Sequence, residues 1–318
     1  MSEKDSKAKE YLSDNNRFAD LCNFVLFQGE QVIKAETLVE RDSTEVLSVL
    51  GIDNKEIQFQ KWRDLLKSTV IKRNKDVVFV LIGIENQSDV HYAMPVKNMI
   101  YDALNYGSQV KEAAKKHREN HDKVTPPEFL SGFKKSDKLT PVITITLYWG
   151  ADEWDGPRCL HDMFAGVDSN LLKFVPDYHI NLVVPSEIDD FENFQTALGE
   201  VLEIIKVSNN KEQMQKLIFS NPMFEKMDNE SVAVINTFIG TNIPLNETEE
   251  VTNMCKAWDD LMNEGIEKGI EKGREEGREG LVLQCLQSGK TCEQIADFIG
   301  ISLDEVKEIE KKFLQLAK

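Results

Sequence analysis

Eight consecutive apolar residues, Val77-Val78-Phe79-Val80-Leu81-Ile82-Gly83-Ile84, run directly into Glu85-Asn86-Gln87. The run is uncharged, rich in β-branched side chains and too short to cross a bilayer. It predicts a strand buried on both faces, of the kind that forms the middle of an α/β sheet. Side chains two apart on a strand share a face, so Glu85 and Gln87 point the same way. Ligand crevices of open α/β sheets lie beyond the carboxyl ends of the strands, which makes this polar triplet a candidate site.

The residues before it add a second carboxylate. Trp62 to Ile71 reads as a strand, and Lys72-Arg73-Asn74-Lys75-Asp76 as the polar turn of a hairpin. That pairing places Asp64 beside Glu85 on neighbouring antiparallel strands, close enough to share an ion. Two carboxylates and the Asn86 main-chain carbonyl suit Mg²⁺, or Mn²⁺ in its place, since such a cation takes one or two protein carboxylates and keeps several waters. A cation of this kind polarises a phosphate and generates hydroxide, the needs of phosphodiester hydrolysis. Gln87 would position the attacking water. Asp20, on a short amphipathic helix from Phe18 to Phe27, is either an outer metal ligand or a helix cap.

The chain has 318 residues and a formal net charge of -17. That acidity argues against a protein that coats nucleic acid through its phosphates. It is compatible with a metal-dependent nuclease, whose site is itself acidic. The five cysteines, Cys22, Cys159, Cys255, Cys285 and Cys292, show no paired ligand spacing. They read as reduced thiols of a cytoplasmic protein, neither a disulfide frame nor a zinc site. The polar N-terminus has no apolar core of a secretory signal, and no segment reads as a membrane helix.

Four segments are expected. Residues 1–16 read as a frayed, disordered arm. Residues 17–244 form the main domain, with a turn at Gly51-Ile52-Asp53-Asn54, a helix from Pro95 to about Asn120, strands at Pro141–Tyr148 and Tyr178–Pro185, and helices from Asp190 to Thr241. Trp154-Asp155-Gly156-Pro157 reads as a turn with a buried indole. Residues 245–280 carry Gly265, Gly269, Gly273 and Gly277 at four-residue spacing among Glu and Lys. This is either a helix with a bare stripe or a solvated linker, since each Gly costs a helix roughly 1 kcal/mol against Ala. Residues 281–318 have the outline of a helix-turn-helix, capped at Thr291, Gly300 and Ser302. Asp304, Glu305, Glu308 and Glu310 make its second helix too acidic for a major-groove reader. A packing or dimer module, joining copies of the chain, is the expectation.

Asp64, then Glu85-x-Gln87, then a helix, resembles the PD-(D/E)XK nuclease superfamily. The strings DLCNFVLFQGEQVIKAETL, IGIENQSDVHYAMPVKNMIYDALNYGSQV and EWDGP are similar to those of the recombination-promoting nuclease, or transposase-like, family within it. The resemblance spans most of residues 17–260. It implies an α/β restriction-endonuclease-like core, a mixed sheet flanked by helices with a helical C-terminal extension. It also implies a Mg²⁺-dependent DNA endonuclease linked to recombination or mobile elements. Two positions depart from the superfamily pattern. Arg63 stands where a proline precedes the aspartate, and Gln87 stands where a lysine is usual. Glutamine can orient a water but brings no charge. Lys97, four before Tyr101 on the following helix, lies where some superfamily members carry a Gln-x-x-x-Tyr pair, and is expected to supply part of that charge, with Tyr101 behind it. The alternative is an inactive relative that uses the same fold as a DNA- or protein-binding scaffold.

Overall fold

The computed structural model describes residues 2–41, 44–50, 56–62, 64–73, 76–246 and 248–316. The first correction lies at the N-terminus. The expected arm is a helix, α1 (Glu3–Ser13), started by a reciprocal cap between Ser2 and Asp5. It buries Ala8, Tyr11 and Leu12. The Tyr11 hydroxyl lies 2.7 Å from Ser231 Oγ, and the Arg17 guanidinium covers the Tyr11 ring at 4.1 Å. Mixed charge made this segment look solvated, yet its apolar residues recur at helical spacing on one face. A second helix, α2 (Asn15–Phe27), follows after Asp14, whose carboxylate caps it.

Next come β1 (Val39–Glu40), β2 (Thr44–Leu50) and β3 (Glu56–Trp62). β2 and β3 pair antiparallel as a separate two-stranded sheet that the sequence reading did not anticipate. The turn expected at Gly51–Asn54 lies outside the described residues, as do Asn74 and Lys75 of the expected hairpin turn.

The central sheet has five strands. β4 (Leu65–Arg73) and β5 (Asp76–Gln87) pair antiparallel, from Leu65 opposite Ile84 to Arg73 opposite Asp76. The crossover helix α3 (Met94–Glu119) begins with Pro95 in its first turn. A one-turn helix, α4 (Pro126–Ser131), comes before β6 (Val142–Tyr148). β6 lies parallel to β5 and pairs Thr146 with Glu85. After the short α5 (Ser169–Leu172), β7 (Asn181–Val183) joins parallel to β6. The order is β1-β4-β5-β6-β7. This mixed sheet with flanking helices and a helical C-terminal region agrees with a restriction-endonuclease-like fold.

Burial of β5 is uneven. Residues Ile82 to Gln87 are all buried, whereas Phe79 is 64% exposed. Double burial therefore holds at the carboxyl end of the strand only. Lys67 of β4 is also buried, and its ammonium donates to Ser13 O and to Asn15 Oδ1 at 2.6 Å. It closes the last turn of α1 and ties the α1–α2 joint to the sheet.

The helices α6 (Leu198–Val207), α7 (Lys211–Ser220) and α8 (Asn229–Ile239) complete this unit, with β8 (Met227–Asp228) and β9 (Val251–Thr252) as a small antiparallel pair. The chain divides into two compact units, Met1–Cys255 and Lys256–Lys318. Almost all of α9 (Met254–Gln287) belongs to the second. The glycine repeat is thus helical, and the boundary expected near residue 281 falls inside one continuous helix. Glu/Lys pairs one turn apart, Glu264 with Lys268 and Lys272 with Glu276, offset part of the glycine cost. The C-terminal unit adds α10 (Cys292–Ile299) and α11 (Leu303–Leu316), packed around Val282, Cys285, Ile295, Val306 and Ile309.

Because α1 is a packed helix, Tyr11→Ala is expected to cost about 3–5 kcal/mol, the range for emptying a buried aromatic site. Urea denaturation of the full chain measures it. A loss under about 0.5 kcal/mol, the scale of an exposed surface change, would return these residues to the status of a loose arm.

Candidate active site

The carboxyl end of β5 gathers the predicted residues. Asp64 sits immediately before β4, opposite Glu85 in the hairpin. Its Oδ2 accepts from the Asn86 main-chain N–H at 2.8 Å, and its own N–H lies 3.4 Å from Glu85 Oε1. Glu85 is 1% exposed. Lys97, in the first turns of α3, places its ammonium 2.8 Å from Glu85 Oε2. A carboxylate that deep needs a partner cation. The next residue, Asn98, donates to Thr146 Oγ1 at 2.8 Å, so consecutive α3 residues hold β5 and its β6 partner. Tyr101, one turn beyond Lys97, is buried on the same helix.

Burial pushes the Asp64 carboxyl above the ordinary aspartate range. The Asn86 N–H, Lys97 and Lys9 oppose the rise, and Asp5 adds to it. Asp5 and Lys9 both come from α1, and Ser88 just after β5 donates to Asp5 Oδ1 at 3.1 Å. Burial also works to raise Asp5, but hydrogen bonds from Ser2 and Ser88 outweigh it and leave this carboxyl low. The α1 wall is therefore part of the surroundings of Asp64 that the sequence reading missed. The Ser2-to-Asp5 cap spacing was the signal that could have found it.

Gln87 is buried, and its Nε2 donates to the Asn86 carbonyl at 2.6 Å, the carbonyl expected as a metal ligand. Trp149, following β6, donates through its indole to Asn86 Oδ1 at 2.9 Å and through its main chain to Gln87 O at 2.9 Å. Its ring stacks on Phe238 at 4.7 Å. Asn86 Nδ2 and Asn98 Oδ1 are buried with no hydrogen-bond partner, unusual for interior amides.

Asp20 does not join this group. Both its oxygens accept main-chain N–H groups, Gln195 at 2.9 and 3.0 Å and Thr196 at 2.8 Å, with the Thr196 hydroxyl at 2.6 Å. It anchors the turn leading into α6, and those bonds oppose the rise that burial gives its carboxyl. The reading of Trp154 as a buried turn residue agrees with the structure. Its ring meets Tyr148 edge-on at 5.4 Å.

The donor set fits a hard divalent cation. Asp64 and Glu85 supply two adjacent carboxylates at a strand end, with the Asn86 carbonyl between Glu85 and Gln87 as an oxygen donor.

The family model described as "Putative transposase, YhgA-like" matches residues 52–232. The chain belongs to this family. The matched stretch contains Asp64, Glu85, Gln87, Lys97 and Tyr101, but stops short of the glycine repeat and the terminal helices. Membership in the YhgA-like family supports a function connected with mobile DNA elements. Neither a curated protein nor a solved structure matches the chain. No described helix is long and apolar enough to cross a membrane.

The raised Asp64 carboxyl ties the stability of the fold to pH. The folded chain holds this proton more tightly than the unfolded one, so ionising Asp64 costs stability as pH rises from 3.8, the ordinary aspartate value, through the folded value. Asp64→Asn should raise Tm at neutral pH, by about 2–4 °C per kcal/mol relieved. The gain should vanish in acid and shrink in excess Mg²⁺. Scanning calorimetry across pH that shows a lower Tm for Asp64→Asn at pH ~7 would contradict this account.

Proposed function

We propose that the chain is a metal-dependent DNA endonuclease of the PD-(D/E)XK type that hydrolyses phosphodiester bonds during recombination or movement of mobile elements. The observation that carries it is the convergence of Asp64, Glu85 and Lys97 at the carboxyl end of β5. Its surroundings add support: a restriction-endonuclease-like sheet and a transposase-like family.

Asp64, Glu85 and the Asn86 carbonyl would hold Mg²⁺, or Mn²⁺. When bound, such an ion polarises the phosphate and lowers the pKa of water. The protein does the rest. Gln87 turns an amide towards the same edge and can hydrogen-bond a water there, but its neutral side chain cannot stabilise a hydroxide by charge. Lys97 brings an ammonium to that edge, where negative charge grows on the phosphate oxygens in the transition state. Trp149 and Asn98 are positioning residues. They fix Asn86, Gln87 and the α3 start so that the reacting groups need not reorganise. Lys67 and the Tyr11 network hold α1 against this edge, carrying Asp5 and Lys9 with it. The substrate is DNA, the expected location is the cytoplasm, and the C-terminal helices would join copies of the chain.

One observation favours a second reading. The Gln87 amide engages the Asn86 carbonyl, a donor the cation needs. In a non-catalytic relative that contact would persist and the fold would serve as a DNA- or protein-binding scaffold.

Purified protein should nick supercoiled plasmid with Mg²⁺ or Mn²⁺ and not in excess chelator. Asp64→Ala and Glu85→Ala should each lower the rate by at least about a hundredfold, on the scale of losing one electrostatic stabiliser. Protein that cuts nothing with either ion, and binds neither by calorimetry, is the scaffold. Lys97→Met should slow cleavage at least about tenfold, and an unchanged rate removes Lys97 from the chemistry.

A further inference from the structure

The connection between β6 and β7, residues 149–180, is long and holds little regular structure: a 3-10 turn at His161–Met163 and the four-residue α5. Connections of this length in a compact unit are uncommon without something to pin them. One pin is an isolated antiparallel bridge between Cys159 and His179. Its flanking bonds run from Leu160 N to Tyr178 O and from Ile180 N to Arg158 O, both 3.0 Å. That pattern makes Cys159 and His179 a non-hydrogen-bonded pair, the kind whose side chains stand closest.

Asp177 completes the cluster. Its Oδ1 accepts from His161 N and Tyr178 N, both at 2.9 Å. Its Oδ2 faces His179 Nε2 at 3.1 Å and His161 Nδ1 at 3.7 Å. The ligand atoms of Cys159, Asp177 and His179 all lie within 4.8 Å of one another. His161 turns its other nitrogen, Nε2, to the Val175 carbonyl at 2.8 Å. A carbonyl only accepts, so Nε2 carries a proton, which leaves Nδ1 as the nitrogen for a metal. A histidine oriented in this way by a carbonyl is characteristic of metal ligation. The loop behind the thiol is fixed too, since Arg158 N and Cys159 N donate to Asp162 Oδ2 at 2.9 and 3.0 Å.

We propose that Cys159, Asp177 and His179 bind one zinc-class transition-metal ion, and that His161, which lies outside this close group with its Nδ1 3.7 Å from Asp177 Oδ2, turns in as the fourth ligand to give a closed structural site that staples residues 158–180. The donors are one sulfur, two imidazole nitrogens and one carboxylate oxygen. Such a set selects Zn²⁺ over Mg²⁺, which prefers all-oxygen ligands. A thiolate and a carboxylate together cancel the charge of a dication. Binding releases the Cys159 thiol proton to solvent and changes no oxidation state. The sequence alone pointed the other way, because Cys-x-His and Asp-x-His are widely separated and neither resembles a paired-cysteine motif. This inference is independent of the nuclease reading.

The test uses the full chain. After reconstitution with Zn²⁺ and gel filtration, elemental analysis should give about one zinc per chain. Titration with Co²⁺ should produce intense tetrahedral d–d bands and a thiolate-to-cobalt charge-transfer band. Cys159→Ser should remove the charge-transfer band. His179→Gln, at a side chain 75% exposed and so harmless to folding, should weaken zinc binding by about tenfold or more. Asp64→Asn should keep the zinc. Chelation should speed proteolytic cleavage between residues 158 and 180. Wild-type protein that gives no thiolate-to-cobalt band, or zinc binding unchanged by both Cys159→Ser and His179→Gln, would overturn the proposal.

Discussion

The buried ion pair between Glu85 and Lys97 joins the end of the central strand to the start of the crossover helix. The geometry of the carboxylate edge depends on it. A carboxylate with 1% exposure is tolerable only beside a cation and hydrogen-bond donors. Lys97 supplies the cation from the first turns of α3, where the helix dipole adds to it. The same turn lays Asn98 across Thr146, so helix α3 is registered against two strands by adjacent side chains. On the opposite face of the same two strands, Ile82, Ile84, Ile145 and Leu147 are buried and hold the sheet to the rest of the core.

The α1 wall shows how much of the site lies far away in sequence. Tyr11 reaches Ser231, Lys67 reaches the α1–α2 joint, and Asp5 reaches Ser88. None of these contacts is local. Each fixes one helix that carries both an acidic and a basic group to the carboxylate edge. A network of this kind differs from the C-terminal unit, whose small core is assembled from three consecutive helices.

The legible parts of the sequence were those with local periodicity or a short polar signature. The apolar run announced β5 and the triplet at its end, and the proline-started apolar period announced α3. Asp64 could be paired with Glu85 because a hairpin is a local event. The rest required tertiary information. Phe79 is as apolar as Ile82, and only the edge of the fold leaves it in water. Asp20 has the same chemistry as Asp64, and only the turn at Gln195–Thr196 shows that its oxygens are already engaged. The glycine repeat left helix and linker open because propensity and side-chain pairing pull in opposite directions. Cys159 and His179 were invisible as a pair, since a single β-bridge leaves no periodic trace.

The docking of α1 on α8 also has a consequence for the timing of folding. Tyr11 waits for Ser231, 220 positions downstream. At roughly 5–20 residues per second, a ribosome needs about 10–45 s to make that stretch. Until then α1 has no partner surface on α8, and the carboxylate edge lacks its α1 wall. A nascent chain therefore carries the Asp64–Glu85 hairpin well before the wall can close beside it. The site is finished only when nearly all of the first unit has been made, which separates synthesis of the carboxylate hairpin from completion of its surroundings.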